Sequence, residues 1–96
     1  MSDVEVTNNE AEHRYEARLD GELAGAAYYD SADDLIVFTH TEVDDAYEGH
    51  GVGSTLVRGA LDDARARKLL VTPICPFVRA YIERHTEYQD LVAPKE

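Results

Sequence analysis

The sequence contains a single cysteine, no tryptophan and only two lysines among its 96 residues. One cysteine cannot form an intramolecular disulfide, and it leaves no Cys-x-x-Cys pair for a zinc or redox site. No apolar run approaches the roughly 20 residues that a membrane helix needs, and the segment from Met1 to Glu5 lacks the features of a signal peptide. We therefore expect a single small domain, residues 1–96, in the reducing cytoplasm.

Positive charge is also scarce, with 9 basic residues against 20 acidic ones and a formal net charge of −11. Phosphate backbones and anionic membrane surfaces attract lysine and arginine, so this balance argues against nucleic acid and membranes as partners. It favours a small amine or a basic peptide, which the field would steer towards the protein. Two origins of the acidity stay open: an ordinary solubility-driven surface, or adaptation to high salt.

The first third of the chain predicts antiparallel strands. Apolar and polar residues alternate from His13 to Leu19, and Asp20-Gly21 then predicts a tight type I′ turn before a second strand from Leu23 to Tyr29. Upstream, the alternation at 4–6 is too short to decide, and we interpret 7–12 as a polar connection.

The middle and last thirds combine strands with helices. After a loop at 30–33, the run from Leu35 to Thr39 is apolar at both odd and even positions. This predicts a central strand that is covered on both faces of the sheet. A period of 3.6 predicts a helix from Val52 to about Lys68, followed by a buried strand at 69–74 and a second helix opened by Pro76. The first helix has the apolar face Val52, Leu56, Val57, Ala60, Leu61 and Ala64; the second has Val78 and Ile82, flanked by Phe77 and Tyr81.

Together these elements predict an α+β fold: antiparallel N-terminal strands, a parallel strand-helix-strand unit and a C-terminal helix. A helical crossover returns the chain in the same direction, so the strands ending near Thr41 and Ile74 are parallel neighbours. Their carboxyl ends then share one edge of the sheet, where ligands of such sheets bind.

Three alternating glycines, Gly49, Gly51 and Gly53, lie between a strand and the start of a helix. Glycine permits positive φ and close approach of the backbone, and a helix N-terminus offers unpaired N–H groups, so the loop predicts a diphosphate site. A simple flexible turn is the alternative. A nucleotide P-loop is excluded because no lysine lies nearby, and a Rossmann fingerprint because its last glycine is Ser54.

The segment Glu48-Gly49-His50-Gly51-Val52-Gly53 resembles the [Gln/Arg]-x-x-Gly-x-[Gly/Ala] motif of the Gcn5-related N-acetyltransferases. With His40-Thr41-Glu42-Val43, Cys75-Pro76-Phe77 and the tail His85-Thr86-Glu87-Tyr88, the chain is similar to the small YjdJ-type branch of that superfamily. The resemblance implies that the loop backbone holds the diphosphate of acetyl-CoA, the co-substrate. Its implied cofactor-binding residues are Val43, Glu48, Gly49, His50, Gly51, Val52, Gly53 and Ser54; Glu48 departs from the usual Gln or Arg.

Cys75 and His40 end the two parallel strands on the shared edge. A thiol at a helix N-cap is favoured as thiolate by the helix dipole, although a lone cysteine in an apolar run is most often a core residue. The resemblance, in which a cysteine at this strand end has been considered catalytic, makes Cys75 a candidate nucleophile facing His40. It also implies that Tyr81 protonates the departing CoA thiolate, with a core position as the alternative.

Two mechanisms stay open. In one, His40 or a water it holds removes a proton from an amine that attacks the thioester directly, while strand amides near Val43 polarise the carbonyl. In the other, Cys75 accepts the acetyl group first.

The leading hypothesis is therefore acetyl-CoA-dependent N-acetyl transfer to an unidentified amine by a monomer or weak homodimer. The rival is a non-catalytic acyl-CoA-binding or protein-interaction module, which Glu48 favours.

The remaining histidines and the arginines have secondary roles. His50 is a candidate phosphate contact, whereas His13 and His85 are interpreted as structural. No His-x-x-x-His spacing occurs, so we expect no metal. On the first helix, two pairs have the spacing of ion pairs: Asp62 with Arg65, and Asp63 with Arg67. The arginines of this helix are candidates for binding the adenosine 3′-phosphate of CoA, with a simple solvated face as the alternative: Arg58, Arg65 and Arg67.

Overall fold

The computed structural model describes residues 4–47, 49 and 51–94. Its elements follow one another in the order β1, β2, β3, β4, α1, β5, α2. The strands are β1 (Val4–Asn9), β2 (Arg14–Leu19), β3 (Glu22–Ala32), β4 (Leu35–Val43) and β5 (Leu70–Pro73). The α-helices are α1 (Val52–Ala66) and α2 (Pro76–Arg84), and 3-10 turns cover Glu10–Glu12, Asp45–Tyr47 and Thr86–Leu91.

The strands form one sheet in chain order, antiparallel from β1 to β4 and parallel between β4 and β5. Helix α1 supplies the crossover that a parallel pair requires. The predicted α+β architecture is therefore confirmed. The type I′ turn after β2 is also confirmed in its backbone, because Asp20 and Gly21 have φ values of 53° and 83°.

Both helices pack on the same face of the sheet, since α1 contacts β1–β4 and α2 contacts β4, β5 and α1. The apolar face predicted for α1 is buried in full, and it meets Tyr15, Ile36 and Phe38 from the strands. The second helix buries Val78 and Ile82 as expected. One hydrophobic core thus lies between a single layer of helices and the sheet.

The opposite face of the sheet, which we call the open face, is covered by no helix in the described part of the chain. The expectation that the strand beginning at Leu35 is covered on both faces is therefore wrong: Ile36 and Phe38 are buried, but Leu35 and Val37 are only half-buried. Apolar residues at both odd and even positions predicted a second layer of helices, whereas within the described residues the β1–β2 connection holds only a 3-10 turn.

Several predicted boundaries differ from the observed ones: pairing extends two strands, and one strand is shorter than predicted. The interpretation of 7–12 as a connection is wrong in part, since β1 continues to Asn9 opposite Arg14. The predicted loop at 30–33 is mostly strand, because β3 pairs with β4 as far as Ala32 and turns only afterwards, with φ of 42° at Asp33. The strand at 69–74 shrinks to four residues, of which only Val71 is fully buried.

The outer edge of β5 is closed by local hydrogen bonds. Val71 accepts a backbone bond from Ala93, whose segment runs parallel to the strand. Beyond it, Pro73 has no N–H, and the guanidinium of Arg79 donates to the carbonyls of Pro73 and Ile74 at 3.4 and 2.9 Å. The turn that leads from β5 into α2 is thereby fixed in place.

On the open face, the buried carboxylate of Glu16 is saturated by donors. Its oxygens accept hydrogen bonds from Asn9 Nδ2 at 3.0 Å, Arg14 Nε at 2.8 Å and an amino group of Arg18 at 3.2 Å. Glu16 is only 4% exposed, so its charge depends on these partners. The hydrogen bond from Asn9, followed by those from the arginines, holds the pKa of Glu16 below its usual range against the opposing effect of burial.

This lowered pKa predicts a pH-dependent contribution to stability. The contribution is complete above the ordinary glutamate pKa and disappears as the pH falls through the lower folded-state value. We expect Glu16→Gln to lower the free energy of unfolding at pH 7 by about 1–3 kcal/mol, with a difference from the parent that shrinks at acidic pH. Urea unfolding between pH 7 and pH 3 measures it. The control Glu22→Gln removes an exposed carboxylate, and equal pH slopes for the two variants would contradict the expectation.

Candidate functional site

The site begins where β4 and β5 separate. Their last pair is Phe38 with Pro73, after which β5 turns into α2 while β4 continues to Val43. The backbone N–H of Cys75 donates to the carbonyl of Phe38 at 2.9 Å and marks the point of separation. Residues 39–43 of β4 therefore border a gap in the sheet, which we call the β4–β5 gap.

Cys75 lies at this gap as the N-cap residue of α2, as predicted, with Pro76 at the first helical position. It is 3% exposed, and its Sγ atom lies 3.3 Å from Oγ1 of Thr41 on the neighbouring strand. The thiol thus touches a hydroxyl, which the sequence analysis did not single out as a partner.

A β-bulge at Thr39 changes which side chains of β4 face the helices. Tyr28 pairs with His40 but Tyr29 pairs with Phe38, so Thr39 is an extra residue in β4. Before the bulge, Phe38 points into the core; after it, Thr41 points to Cys75 and His40 to the open face.

His40 is consequently not brought to Cys75. Its Nε2 atom lies 2.9 Å from a carboxylate oxygen of Glu42, its ring stacks on Tyr28 with centroids 5.9 Å apart, and 59% of its side chain is exposed. The expectation that His40 faces Cys75 across the strand pair is wrong in this respect, because the bulge places the two side chains on opposite faces. Their roles in the chemistry remain proposals.

The histidine belongs to a polar row that crosses the open face. Arg14 donates to the hydroxyl of Tyr28 at 3.2 Å and lies 5.7 Å from the centre of its ring. Glu16 holds Arg14, and Tyr28 in turn stacks on His40. The imidazole is therefore oriented by two contacts, an aromatic ring beneath it and the carboxylate of Glu42 beside it.

The glycine loop leaves room at the start of α1. Gly51 is its N-cap with φ of 73°, Gly49 has φ of 86°, and a side-chain Cβ at either position would find no heavy atom of the described residues within 4 Å, its chain neighbours aside. Among the described residues, no side chain caps α1 and no acidic residue lies in its first turn. Free N–H groups and open space fit the diphosphate of a CoA molecule.

The other predicted cofactor residues differ in placement. Val52 is 1% exposed, so only its backbone can contribute, whereas Ser54 is exposed in the first turn of α1. Val43 packs against the core at the end of β4. Glu48 and His50 lie outside the described residues, so their predicted roles stay predictions.

Gly53 is different from the other two glycines. It lies inside α1 without a positive φ, and a Cβ built on it would come within 2.7 Å of Cζ of Phe77. The space beside Gly53 is thus occupied by an aromatic ring of the second helix. The sequence pattern predicts Phe77 only beside the apolar face of α2. Because the contact with Gly53 joins two helices distant in the chain, no local pattern signals it.

Tyr81 is the one buried tyrosine in the described chain whose hydroxyl has no hydrogen-bond partner in the protein. The hydroxyls of Tyr15, Tyr29 and Tyr88 donate to Asp63, Asn8 and Asp62, each at 2.6 Å. Tyr81 is only 4% exposed and stacks on His85 with centroids 4.0 Å apart. Burial raises the pKa of Tyr81, so the group is protonated at neutral pH and able to donate.

An acidic cavity of about 640 Å³ opens beside the end of β4. Its acidic lining residues are Glu42, Asp44 and Asp45, and no lysine or arginine lines it. It adjoins the β4–β5 gap because Thr41 and Tyr28 also line it. The remaining lining residues are small or apolar: Leu23, Ala24, Gly25, Ala26 and Val43.

Two of the arginines proposed for the 3′-phosphate are engaged in ion pairs. Arg65 binds Asp90 at 3.0 Å instead of the predicted Asp62, which accepts from Tyr88, whereas Arg67 pairs with Asp63 at 3.1 Å as predicted. Arg58 is exposed.

Within residues 4–47, 49 and 51–94, no group of three metal-ligating side chains occurs. No helix there is long and apolar enough to cross a membrane.

Known proteins share this architecture. A family model described as GCN5-related N-acetyl-transferase matches residues 14–91, from β2 through the glycine loop to the 3-10 turn after α2. The chain belongs to this family. Membership of the narrower YjdJ-type branch stays a prediction.

Individual proteins are also similar to this N-acetyltransferase family member in sequence or in fold. Protein NATD1 of Gallus gallus is 26% identical over 84 residues, which cover 85% of this chain and 76% of that protein. A GCN5-like protein of Staphylococcus aureus, solved by NMR, has a TM-score of 0.71 and 26% identity, covering 100% of this chain and 94% of its own. The ribosomal-protein-alanine N-acetyltransferase of Brucella melitensis biovar Abortus 2308 shares the fold, with a TM-score of 0.59 and 20% identity over 86% of this chain and 63% of its own.

The glycine loop yields a test with a matched control. Gly51 and Gly21 both have positive φ and open surroundings, so alanine at either position imposes the same kind of backbone strain, about 1–2 kcal/mol. We expect Gly51→Ala to weaken CoA binding at least tenfold because it fills the space in front of the helix N-terminus, and Gly21→Ala to leave binding unchanged. Calorimetric titration with CoA measures both. Equal CoA affinity in the two variants would show that the loop is only a turn.

Proposed function

We propose that this protein is an acetyl-CoA-dependent N-acetyltransferase that acetylates a cationic amine. The observation that supports this most directly is the β4–β5 gap, bordered by Cys75 at the start of α2 and followed along the chain by the glycine loop. An acetyl-CoA molecule with its diphosphate at Gly51 would extend into this gap. Its thioester would then lie beside residues 39–43 of β4, whose backbone amides near Val43 are candidates for polarising the carbonyl.

Direct transfer is the mechanism that we propose. The nitrogen of the amine attacks the thioester carbonyl carbon, a C–N bond forms, the C–S bond breaks, and CoA leaves as a thiolate. The proton released by the amine goes to His40, directly or through a water. If Nε2 of His40 carries a hydrogen and donates to Glu42, then Nδ1 is free to act as the base.

The leaving group needs a proton, and Tyr81 is the proposed donor. Its hydroxyl is protonated at neutral pH and has no partner within the described chain, whereas Tyr15, Tyr29 and Tyr88 already donate to protein oxygens. The hydroxyl oxygen is not among the fully enclosed polar atoms without a partner in the described residues, so a ligand or water can reach it and accept its hydrogen bond.

The burial of Cys75 favours direct transfer over an acetyl-cysteine intermediate. The thiol is almost inaccessible and contacts Thr41, whereas His40 is largely exposed on the open face. An amine arriving from the open face would meet His40 first. In this proposal Cys75 forms part of the wall of the gap.

The acidic cavity supports a cationic acceptor. Glu42, Asp44 and Asp45 present negative charge beside His40 and the gap, and the net charge of −11 attracts cations over a longer range. We therefore propose an amine with a second positive charge, such as a diamine or a basic peptide, as the substrate class.

Mass spectrometry with acetyl-CoA and a panel of amines tests the mechanism. We expect His40→Ala to reduce kcat by about 10²–10⁴-fold, as loss of a general base does, and Cys75→Ala to change kcat little.

Tyr81→Phe should lower kcat without changing CoA affinity. The matched control Tyr88→Phe, which removes a hydroxyl bonded to Asp62, should only lower stability. An acetyl group found on Cys75, with activity lost in Cys75→Ala, would instead establish the covalent route. CoA binding without transfer to any amine would favour the non-catalytic module.

The proposed acceptor class has its own test. Asp45→Asn removes one charge from the cavity and should raise KM for a diamine about fivefold at low salt, since a unit charge about 4 Å away in water is worth about 1 kcal/mol. For a monoamine without a second charge, the effect should be smaller. Asp30→Asn, at an exposed position of β3 outside the cavity, is the control. A KM that does not respond to Asp45→Asn or to salt would contradict a cationic acceptor.

A further inference from the structure

His85 and Tyr81 form the closest aromatic pair in the described chain. Their rings stack at an angle of 24° with centroids 4.0 Å apart, whereas the next closest pair, Tyr15 with Tyr29, lies at 5.3 Å. His85 is the C-cap residue of α2, and its backbone N–H donates to the carbonyl of Tyr81 at 2.9 Å. Its own carbonyl accepts a hydrogen bond from the N–H of Tyr88 at 3.0 Å, so the backbone that carries the imidazole is held on both sides.

The ring of Tyr81 depends on this contact because its hydroxyl has no anchor within the described residues. The hydroxyls of the other three buried tyrosines are fixed by hydrogen bonds to protein oxygens: Tyr15, Tyr29 and Tyr88. A hydroxyl that donates to the protein is not free to donate to a ligand. Stacking instead fixes the phenol through the face of its ring and leaves the hydroxyl free.

The imidazole of His85 is not committed to another partner. In the part of the chain that the structure describes, all hydrogen bonds and ion pairs of histidine side chains belong to His40. Tyr88, the other aromatic neighbour of Tyr81, is tilted by 39° at 6.1 Å and donates its own hydroxyl to Asp62. The face-to-face contact with Tyr81 therefore comes from His85.

We propose that His85 is a positioning residue, which holds the ring of Tyr81 so that its hydroxyl can protonate the leaving CoA thiolate. This inference rests on the proposed function. As the C–S bond breaks, the hydroxyl gives its proton to the sulfur, and the phenolate left behind then takes a proton from water. The imidazole exchanges no proton in this step and acts only through the orientation of the phenol ring.

A double-mutant cycle between His85 and Tyr81 tests this role. We expect His85→Ala to lower kcat for acetyl transfer about five- to tenfold, without changing CoA affinity or KM for the amine, because only the orientation of the proton donor is lost. In the Tyr81→Phe background, which has no hydroxyl to orient, His85→Ala should have no further effect on kcat. His85→Phe keeps a flat ring and should retain most of the kcat of the parent.

His13 supplies the matched control. Its ring lies 6.2 Å from that of Tyr29, whose hydroxyl is already bonded to Asn8. His13→Asn suits the φ of 54° at this position and should leave kcat unchanged. Thermal melting establishes that each variant is folded under the assay conditions. If His85→Ala is unfolded, His85→Leu, which fills the space without a flat ring, takes its place with the same expected loss.

NMR relaxation of ring-labelled tyrosine reports the contact independently of activity. The ring of Tyr81 should become more mobile in His85→Ala and should stay as rigid in His85→Phe as in the parent.

The outcomes separate the two proposals. If the parent transfers no acetyl group to any amine, the proposed function fails and this inference fails with it, even if the ring responds as expected. If the parent is active, three results overturn the role of His85 alone: an unchanged kcat in His85→Ala, a loss that adds in full to that of Tyr81→Phe, or unchanged mobility of the ring. A Tyr81→Phe variant with the kcat of the parent would also overturn it, because there would be no proton donor to position.

Discussion

The separation of β4 from β5 is the constraint on which the site depends. A parallel pair of strands normally satisfies both facing backbones, but here β5 ends at Pro73 while β4 continues to Val43. The same turn that ends β5 starts α2 and positions Cys75, and it is fixed by the guanidinium of Arg79. A four-residue strand thereby creates a gap between the last two strands of a sheet whose other pairs are continuous or only locally bulged.

The bulge at Thr39 divides that gap into two chemical environments. On the helix side lie Thr41, which is half-buried, and Cys75, which is only 3% exposed. On the open face, His40 is oriented by Tyr28 and Glu42 and adjoins an acidic cavity. If side chains alternated regularly from Phe38 onward, with Thr39 paired like its neighbours, His40 would share the face of Phe38 and point into the protein.

Local patterns of the sequence predicted what depends on local structure. The apolar face of α1, the turn at Asp20-Gly21 and the N-cap position of Cys75 follow from residues close together in the chain, and all agree with the structure. The uncovered face of β4 was missed because apolar residues do not reveal whether a second layer of helices exists. The bulge depends on the register with β3, and the contact of Gly53 with Phe77 joins two helices, so neither has a signal within a short window.

The closed edge of β5 has a consequence for behaviour at high concentration. Aggregation through sheets requires an edge whose N–H and C=O groups can pair with another chain. Along the outer edge of β5, Val71 accepts from Ala93, Pro73 has no N–H to donate, and Arg79 occupies the carbonyls of Pro73 and Ile74. An incoming strand therefore finds little to pair with there, so this border of the sheet, beside the β4–β5 gap, is a poor template for pairing with another chain.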